Sequence, residues 1–164
     1  LGDAGLALLA QQGLFVGLGT LAELRERLDR PTPRLAEGRA LVGLASAAID
    51  VSDGLAADLG HVCGASGVGA TLYLDRLPCS AAVRRYVAET GDWSIPVAAG
   101  DDYELCVSVP ASRQGEVEAL AAELAAGLHW VGTVERVAGV RLVRPDGSML
   151  DDAPRGYDHF ARDG

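Results

Sequence analysis

Apolar residues recur along this chain at two spacings, and the switch between them predicts its elements. The run AGLALLAQQG reads as a short helix stopped at Gly13. In TLAELRERLDR, Leu21, Leu24 and Leu28 return at helical spacing, Thr20 and Glu23 form a capping box, and Pro31-Thr32-Pro33 ends the helix. A third helix is predicted over Arg34 to Ala45. Leu55, Leu59 and Val62 share the face of a fourth, which runs into the turn glycines of GASGVGA. ATLYLDRLP alternates as a strand, and Ser80 to Thr90 reads as a helix before the Gly91-Asp92 turn. In YELCVSV, Tyr103, Leu105, Val107 and Val109 fall on one side of a strand, with Glu104, Cys106 and Ser108 facing outward on the other. Val117, Leu120, Ala121 and Leu124 make the next helix amphipathic. WVGTVERV and GVRLVRPDGSML read as strands, the second bent into a hairpin at Asp146-Gly147. Helices and strands mix without a regular βαβ rhythm, which predicts an α+β sandwich, a sheet covered by helices.

At 164 residues, 49% apolar and 5% aromatic, the chain is long enough for one domain with a core of Leu, Val and Ala. Trp93 and Trp130 read as packing residues. With 14 basic against 23 acidic residues, the net charge of −9 argues against a nucleic-acid surface, so an anionic ligand must be met by metal ions or backbone amides. Cys63, Cys79 and Cys106 are odd in number and lack metal-ligand spacing, which favours a reducing cytoplasm. No apolar run is long enough to cross a bilayer. The chain begins at Leu1 rather than Met, which suggests a fragment.

Three polar residues in AIDVSDGLAADL, namely Asp50, Ser52 and Asp53, follow an apolar segment and open a helix. Two readings stand: Ser52 or Asp53 caps the helix, or the two carboxylates hold a hard cation such as Mg²⁺ beside a nucleotide phosphate. AAGDDYEL repeats the theme, with Gly100 before Asp101 and Asp102. These acids either meet a cationic group or metal, or form a solvated turn entering the strand. GASGVGA follows a helix and lacks Gly-Lys-Ser/Thr, so it is a turn rather than a phosphate loop. Tyr157, an aromatic in a polar tail, lies either on the core or over a ring-shaped ligand. His61, His129 and His159 have no ligand-like spacing.

In order and separation, LGDAGLAL, RPTPRLAEG, AIDVSDGLAADLGHV, SGVGATLYLDRLP, AGDDYELCVSVP and GYDHF resemble the C-terminal half of the thiamine-monophosphate kinase family, of the AIR-synthase-like (PurM-like) superfamily. The resemblance implies a PurM C-terminal-domain-like α/β sandwich with a mixed sheet. It places the end of an N-terminal domain or linker at residues 1–19 and the C-terminal domain at 20–164. It also implies ATP-dependent, Mg²⁺-assisted phosphorylation of thiamine monophosphate to thiamine diphosphate. Asp50 and Asp53 would be magnesium ligands, Ser52 an ATP contact, and Asp101 and Tyr157 contacts of the thiamine phosphate. Asp101 stands where the family commonly has Glu, and Ala99 where it has the first glycine of that motif. The family's N-terminal half carries most magnesium ligands, much of the ATP site and the principal dimer interface. That implies a homodimer at full length and little activity for this chain alone. Two alternatives stay open: another ATP-dependent enzyme of the superfamily (AIR synthase, selenophosphate synthase or hydrogenase-maturation type), or a non-catalytic module that binds a phosphorylated ligand.

Overall fold

The computed structural model describes residues 1–13, 21–124 and 127–150. Thr20 of the expected capping box and Tyr157 lie outside them. Helix α1 (Asp3–Gln11) leads to α2 (Leu21–Asp29), and α3 (Leu35–Ala40) follows the prolines. Strand β1 (Ala47–Val51) then runs directly into α4 (Leu55–Ser66). After β2 (Gly69–Tyr73) come α5 (Ala81–Thr90) and the short α6 (Ser94–Ala98). Strand β3 (Glu104–Ser108), α7 (Gln114–Ala121), β4 (Gly132–Glu135) and β5 (Gly139–Val143) complete the order.

The strands form two separate sheets. The expected mixed sheet has the order β4-β2-β5, with β2 antiparallel to β4 and parallel to β5. Central β2 is buried from Gly69 to Leu72, as a strand covered on both faces must be. The second sheet is an antiparallel ribbon in which Ala47 pairs with Ser108 and Val51 with Glu104. Helix α4 contacts β1, β2, β5 and α6, bridging the two sheets.

The core is aliphatic, as composition predicts: Leu6, Leu72, Leu74, Leu142, Val51, Val83 and Val97 are fully buried. Helix α1 belongs to it through Leu6 and Ala7, packing beside α2 and α6. Helix α5 is capped as its sequence suggests, with the Ser80 side chain accepting the Val83 N–H at 3.2 Å.

Several expectations are corrected. Helix α3 stops at Ala40 rather than Ala45, because residues 41–44 close a turn in which Leu44 N–H donates to the Leu41 carbonyl. Helix α7 ends at Ala121, short of Leu124. Helix α6 is not among the expected elements; its Pro96 lies in the first turn, where the missing N–H costs nothing. Trp130 is 42% exposed, whereas Trp93 packs partly buried on the core. Glu104 does not face outward into water: Arg27 and Arg34, from the first third of the chain, both bind it.

Candidate functional site

The site begins where β1 ends. Strand alternation buries Val51 and leaves Asp50 exposed, so the carboxylate stands outside the core at the last paired positions of the ribbon, opposite Leu105. The chain then turns through Ser52 and Asp53, both half-buried, to Gly54, the N-cap of α4. This corrects the capping reading, because neither Ser52 nor Asp53 occupies the N-cap. Gly54 has φ +112°, and a Cβ there would lie 2.6 Å from the Ala98 Cα, so only glycine lets α4 approach α6 this closely.

The group that holds this turn is Asp58, in the first turn of α4. Its Oδ2 accepts the Ser52 N–H at 2.9 Å and the Asp53 N–H at 3.0 Å, and the residue is only 3% exposed. Sequence reasoning missed it, because a polar residue in a helix's first turn carries no distinguishing signal by itself. Charge-assisted hydrogen bonds of this kind contribute on the order of 1.5–3 kcal/mol each.

The second acidic motif is locked to the first by backbone. Asp101 N–H donates to the Ser52 carbonyl at 2.9 Å, and Tyr103 N–H donates to the Val51 carbonyl at 2.8 Å. Between these bonds Asp101 and Tyr103 adopt positive φ, +58° and +48°. For a tyrosine that conformation is unusual and costs on the order of 1–3 kcal/mol, offset here by the bonds to β1. Gly100, φ +70°, lies so near Ser52 that a Cβ would stand 2.6 Å from its carbonyl oxygen. Three of the predicted residues, Ser52, Asp53 and Asp101, therefore share one pair of interlocked turns, and Asp50 lies beside them near the end of β1. The fifth, Tyr157, lies outside the described residues.

The adjacent acids of GDDYEL have separate tasks. Asp102 turns away and accepts the Gly2 N–H with both oxygens, at 2.8 and 3.0 Å, and burial pushes its carboxyl above the ordinary range. It ties α1 to the motif and is not presented to a ligand. Glu104 meets Arg34 in a bidentate pair at 2.7 Å and Arg27 at 2.6 Å. Burial raises its pKa, but the two guanidinium groups outweigh that and hold it below the usual glutamate value. Arg27 also stands 3.9 Å from Asp3, whose Oδ1 is buried with no hydrogen-bond partner among the described residues.

Two concavities flank the ribbon. A groove of about 270 Å³ is lined by Asp50, Tyr103, Leu105 and Arg34 together with Pro31 and Pro33. Tyr103, 43% exposed, thus stands beside Asp50, a neighbour that strand alternation alone could not reveal. A larger cavity of about 460 Å³ is lined by Asp3, Arg27, Glu104 and mainly apolar residues, and among the described residues none of the predicted site residues borders it.

Among the described residues no three His, Cys, Asp or Glu side chains gather into a metal shell. Asp50 and Asp53 offer hard oxygen donors of the type Mg²⁺ takes. Two carboxylates suit an ion that keeps water and phosphate oxygens as its remaining ligands. The donor set therefore fits Mg²⁺ as part of a site. None of the described helices is long and apolar enough to cross a membrane.

The family model for the AIR synthase related protein, C-terminal domain, matches residues 1–144. Over 160 residues the chain is 42% identical to thiamine-monophosphate kinase of Salmonella typhimurium, covering 96% of this chain and 49% of that protein. The corresponding Escherichia coli K12 protein is 37% identical over 159 residues, with the same coverage. The crystal structure of thiamine-monophosphate kinase from Stenotrophomonas maltophilia superposes with a TM-score of 0.78 at 40% identity, covering 90% of this chain and 48% of that one. AaThiL complexed with AMPPCP and TMP superposes with a TM-score of 0.73 at 31% identity, over 98% of this chain and 48% of that one. Escherichia coli HypE, a hydrogenase maturation protein, shares the fold at 23% identity and a TM-score of 0.61. This chain spans about half the length of the relatives it matches. Matched over residues 1–144, the chain belongs to the AIR synthase related family, as a C-terminal domain.

Proposed function

We propose that this chain is the C-terminal half of a thiamine-monophosphate kinase, which transfers the γ-phosphoryl group of ATP to thiamine monophosphate and releases thiamine diphosphate and ADP. The observation that carries the reading is the joining of the IDVSDGL and GDDYEL turns through the Asp101–Ser52 and Tyr103–Val51 backbone bonds. It draws support from relatives named for this activity and from the neighbour solved with AMPPCP and TMP.

In the reaction a phosphorus–oxygen bond to the ADP leaving group breaks, and one to a phosphate oxygen of the acceptor forms. Two polyanions must meet, so the protein's work is positioning and charge neutralisation. Asp50 and Asp53 would hold Mg²⁺, which when bound supplies the positive charge an acidic chain lacks. Ser52 offers its hydroxyl to ATP. Asp101, fixed in its positive-φ turn, and Tyr157 orient the thiamine phosphate. The acceptor oxygen is already ionised at neutral pH, so no residue is assigned as a general base.

Because the relatives are about twice as long, the chain works with a further N-terminal half and turns over little or not at all alone. At full length the enzyme is a cytoplasmic homodimer. The test is thiamine diphosphate formation by the chain joined to that half. Asp50→Asn should lower turnover at least about 100-fold, since even outer-shell metal partners cost 10–100-fold. Unchanged turnover in that variant would overturn the reading.

A further inference from the structure

Asp58 has no part in the roles assigned above, yet it bears directly on them. One oxygen, Oδ2, accepts from two consecutive peptides, Ser52 and Asp53, and so fixes the orientation of both. The backbone N–H of Asp58 donates to the Gly54 carbonyl at 3.0 Å, which ties the side chain to the helix frame on the far side of the same turn. The other side of the turn is held by Asp101 and Tyr103 through the carbonyls of Ser52 and Val51. The Ser52 residue thus has its N–H engaged by α4 and its C=O by the GDDY turn. Amide groups at the start of a helix ordinarily attract phosphate, and here two of those preceding α4 are filled by a carboxylate that is itself buried.

We propose that Asp58 is a positioning residue: by holding the turn that follows Asp50 it presents Asp53 toward the metal and Ser52 toward ATP, and it closes the Ser52 and Asp53 amides to phosphate, so that the polyphosphate is received through the cation and side chains. This rests on the reading of Asp50 and Asp53 as Mg²⁺ ligands. A carboxylate serving the fold alone would set the stability of α4 without changing cation affinity in the folded protein. A positioning residue changes both the two amides and the cation affinity, with the core intact.

The experiment is amide-resolved NMR on this chain joined to its N-terminal half, combining hydrogen exchange with a Mn²⁺ titration read as paramagnetic broadening, which registers weak binding. In the parent protein the Ser52 and Asp53 amides are protected, and Mn²⁺ broadens the signals from Asp50 to Asp53. In Asp58→Ala those two amides exchange at least about tenfold faster, and the Mn²⁺ midpoint rises at least about tenfold, while β2 amides stay protected. Asp58→Asn keeps an acceptor oxygen and should return both values to within about threefold of the parent. Asp58→Glu, one methylene longer, should fall between. If Asp58→Ala does not fold, the Asn and Glu variants decide the matter, because the midpoint must follow the protection of the two amides across them.

A parent-like midpoint in a folded variant whose Ser52 and Asp53 amides have been freed would overturn the positioning role alone. No broadening at Asp50–Asp53 in the parent, or broadening that survives Asp50→Asn, would overturn the metal reading and this inference with it.

Discussion

In the β4-β2-β5 sheet the central strand is buried from Gly69 to Leu72, and its Leu72 and Ala70 join the main core. In the β1–β3 ribbon only Val51 is fully buried, every residue of β3 is half-buried, and Asp50 is exposed. The sheet is held mainly by apolar side chains on the core, with one polar link across its strands, in which Glu135 of β4 accepts from Thr71 of β2 and pairs with Arg141 of β5. The ribbon and its turns rest on directional contacts: Asp58 on two amides, Asp101 and Tyr103 on two carbonyls, and Glu104 on two arginines. A region that presents charge outward cannot bury enough apolar surface to fix itself, so hydrogen bonds and ion pairs, local at Asp58 and long-range at Asp101, Tyr103 and Glu104, define it instead.

This contrast can be broken from either side. The largest effect is expected in the sheet, where Leu72→Ala removes a 2%-exposed side chain. It should cost about 2–5 kcal/mol in chemical denaturation, yet leave the Ser52 and Asp53 amides protected under native conditions. Gly100→Ala attacks the interlock: the new Cβ would meet the Ser52 carbonyl at 2.6 Å and the residue keeps φ +70°. We expect a loss of about 1–3 kcal/mol, with faster hydrogen exchange at the Asp101 amide before any change in β2.

The smallest effect concerns charge. Glu104→Gln should cost about 1–2 kcal/mol at pH 7, since the neutral amide accepts more weakly from Arg27 and Arg34. Its pH dependence gives a sharper test. The folded-state pKa of Glu104 lies below its ordinary 4.5, so its contribution is present above that value and is lost as pH falls through and below it. Denaturation curves of the parent should therefore lose stability below about pH 4.5 more steeply than those of Glu104→Gln.

Much of this architecture is legible in the sequence wherever a local rule decides it. Leu55 and Leu59 declare α4, Ser80 declares the start of α5, and alternation declares β3 over Glu104–Ser108, though Tyr103, expected on the strand, falls in the positive-φ turn before it. The site segments are legible as motifs, and the backbone bonds bring Asp50, Ser52, Asp53 and Asp101 together. What stayed hidden depends on partners remote in sequence. Alternation assigns Glu104 to one face of its strand but says nothing of what covers that face, here two arginines 70 and 77 residues away. The division of strands between two sheets depends on pairing at similar range. Asp58 looks like any first-turn acid until the chain folds back onto it, and Asp102 looks like a twin of Asp101 until α1 claims it.

The central claim is that the two interlocked turns act as one substrate site. Its most direct test is calorimetric titration of thiamine monophosphate into the protein at the full length of its relatives, with Mg²⁺ and a non-hydrolysable ATP analogue present. The account predicts saturable, Mg²⁺-dependent binding that both Asp50→Asn and Asp101→Ala weaken, although the one residue lies near the end of β1 and the other in the turn before β3. Binding that is indifferent to either substitution would contradict it.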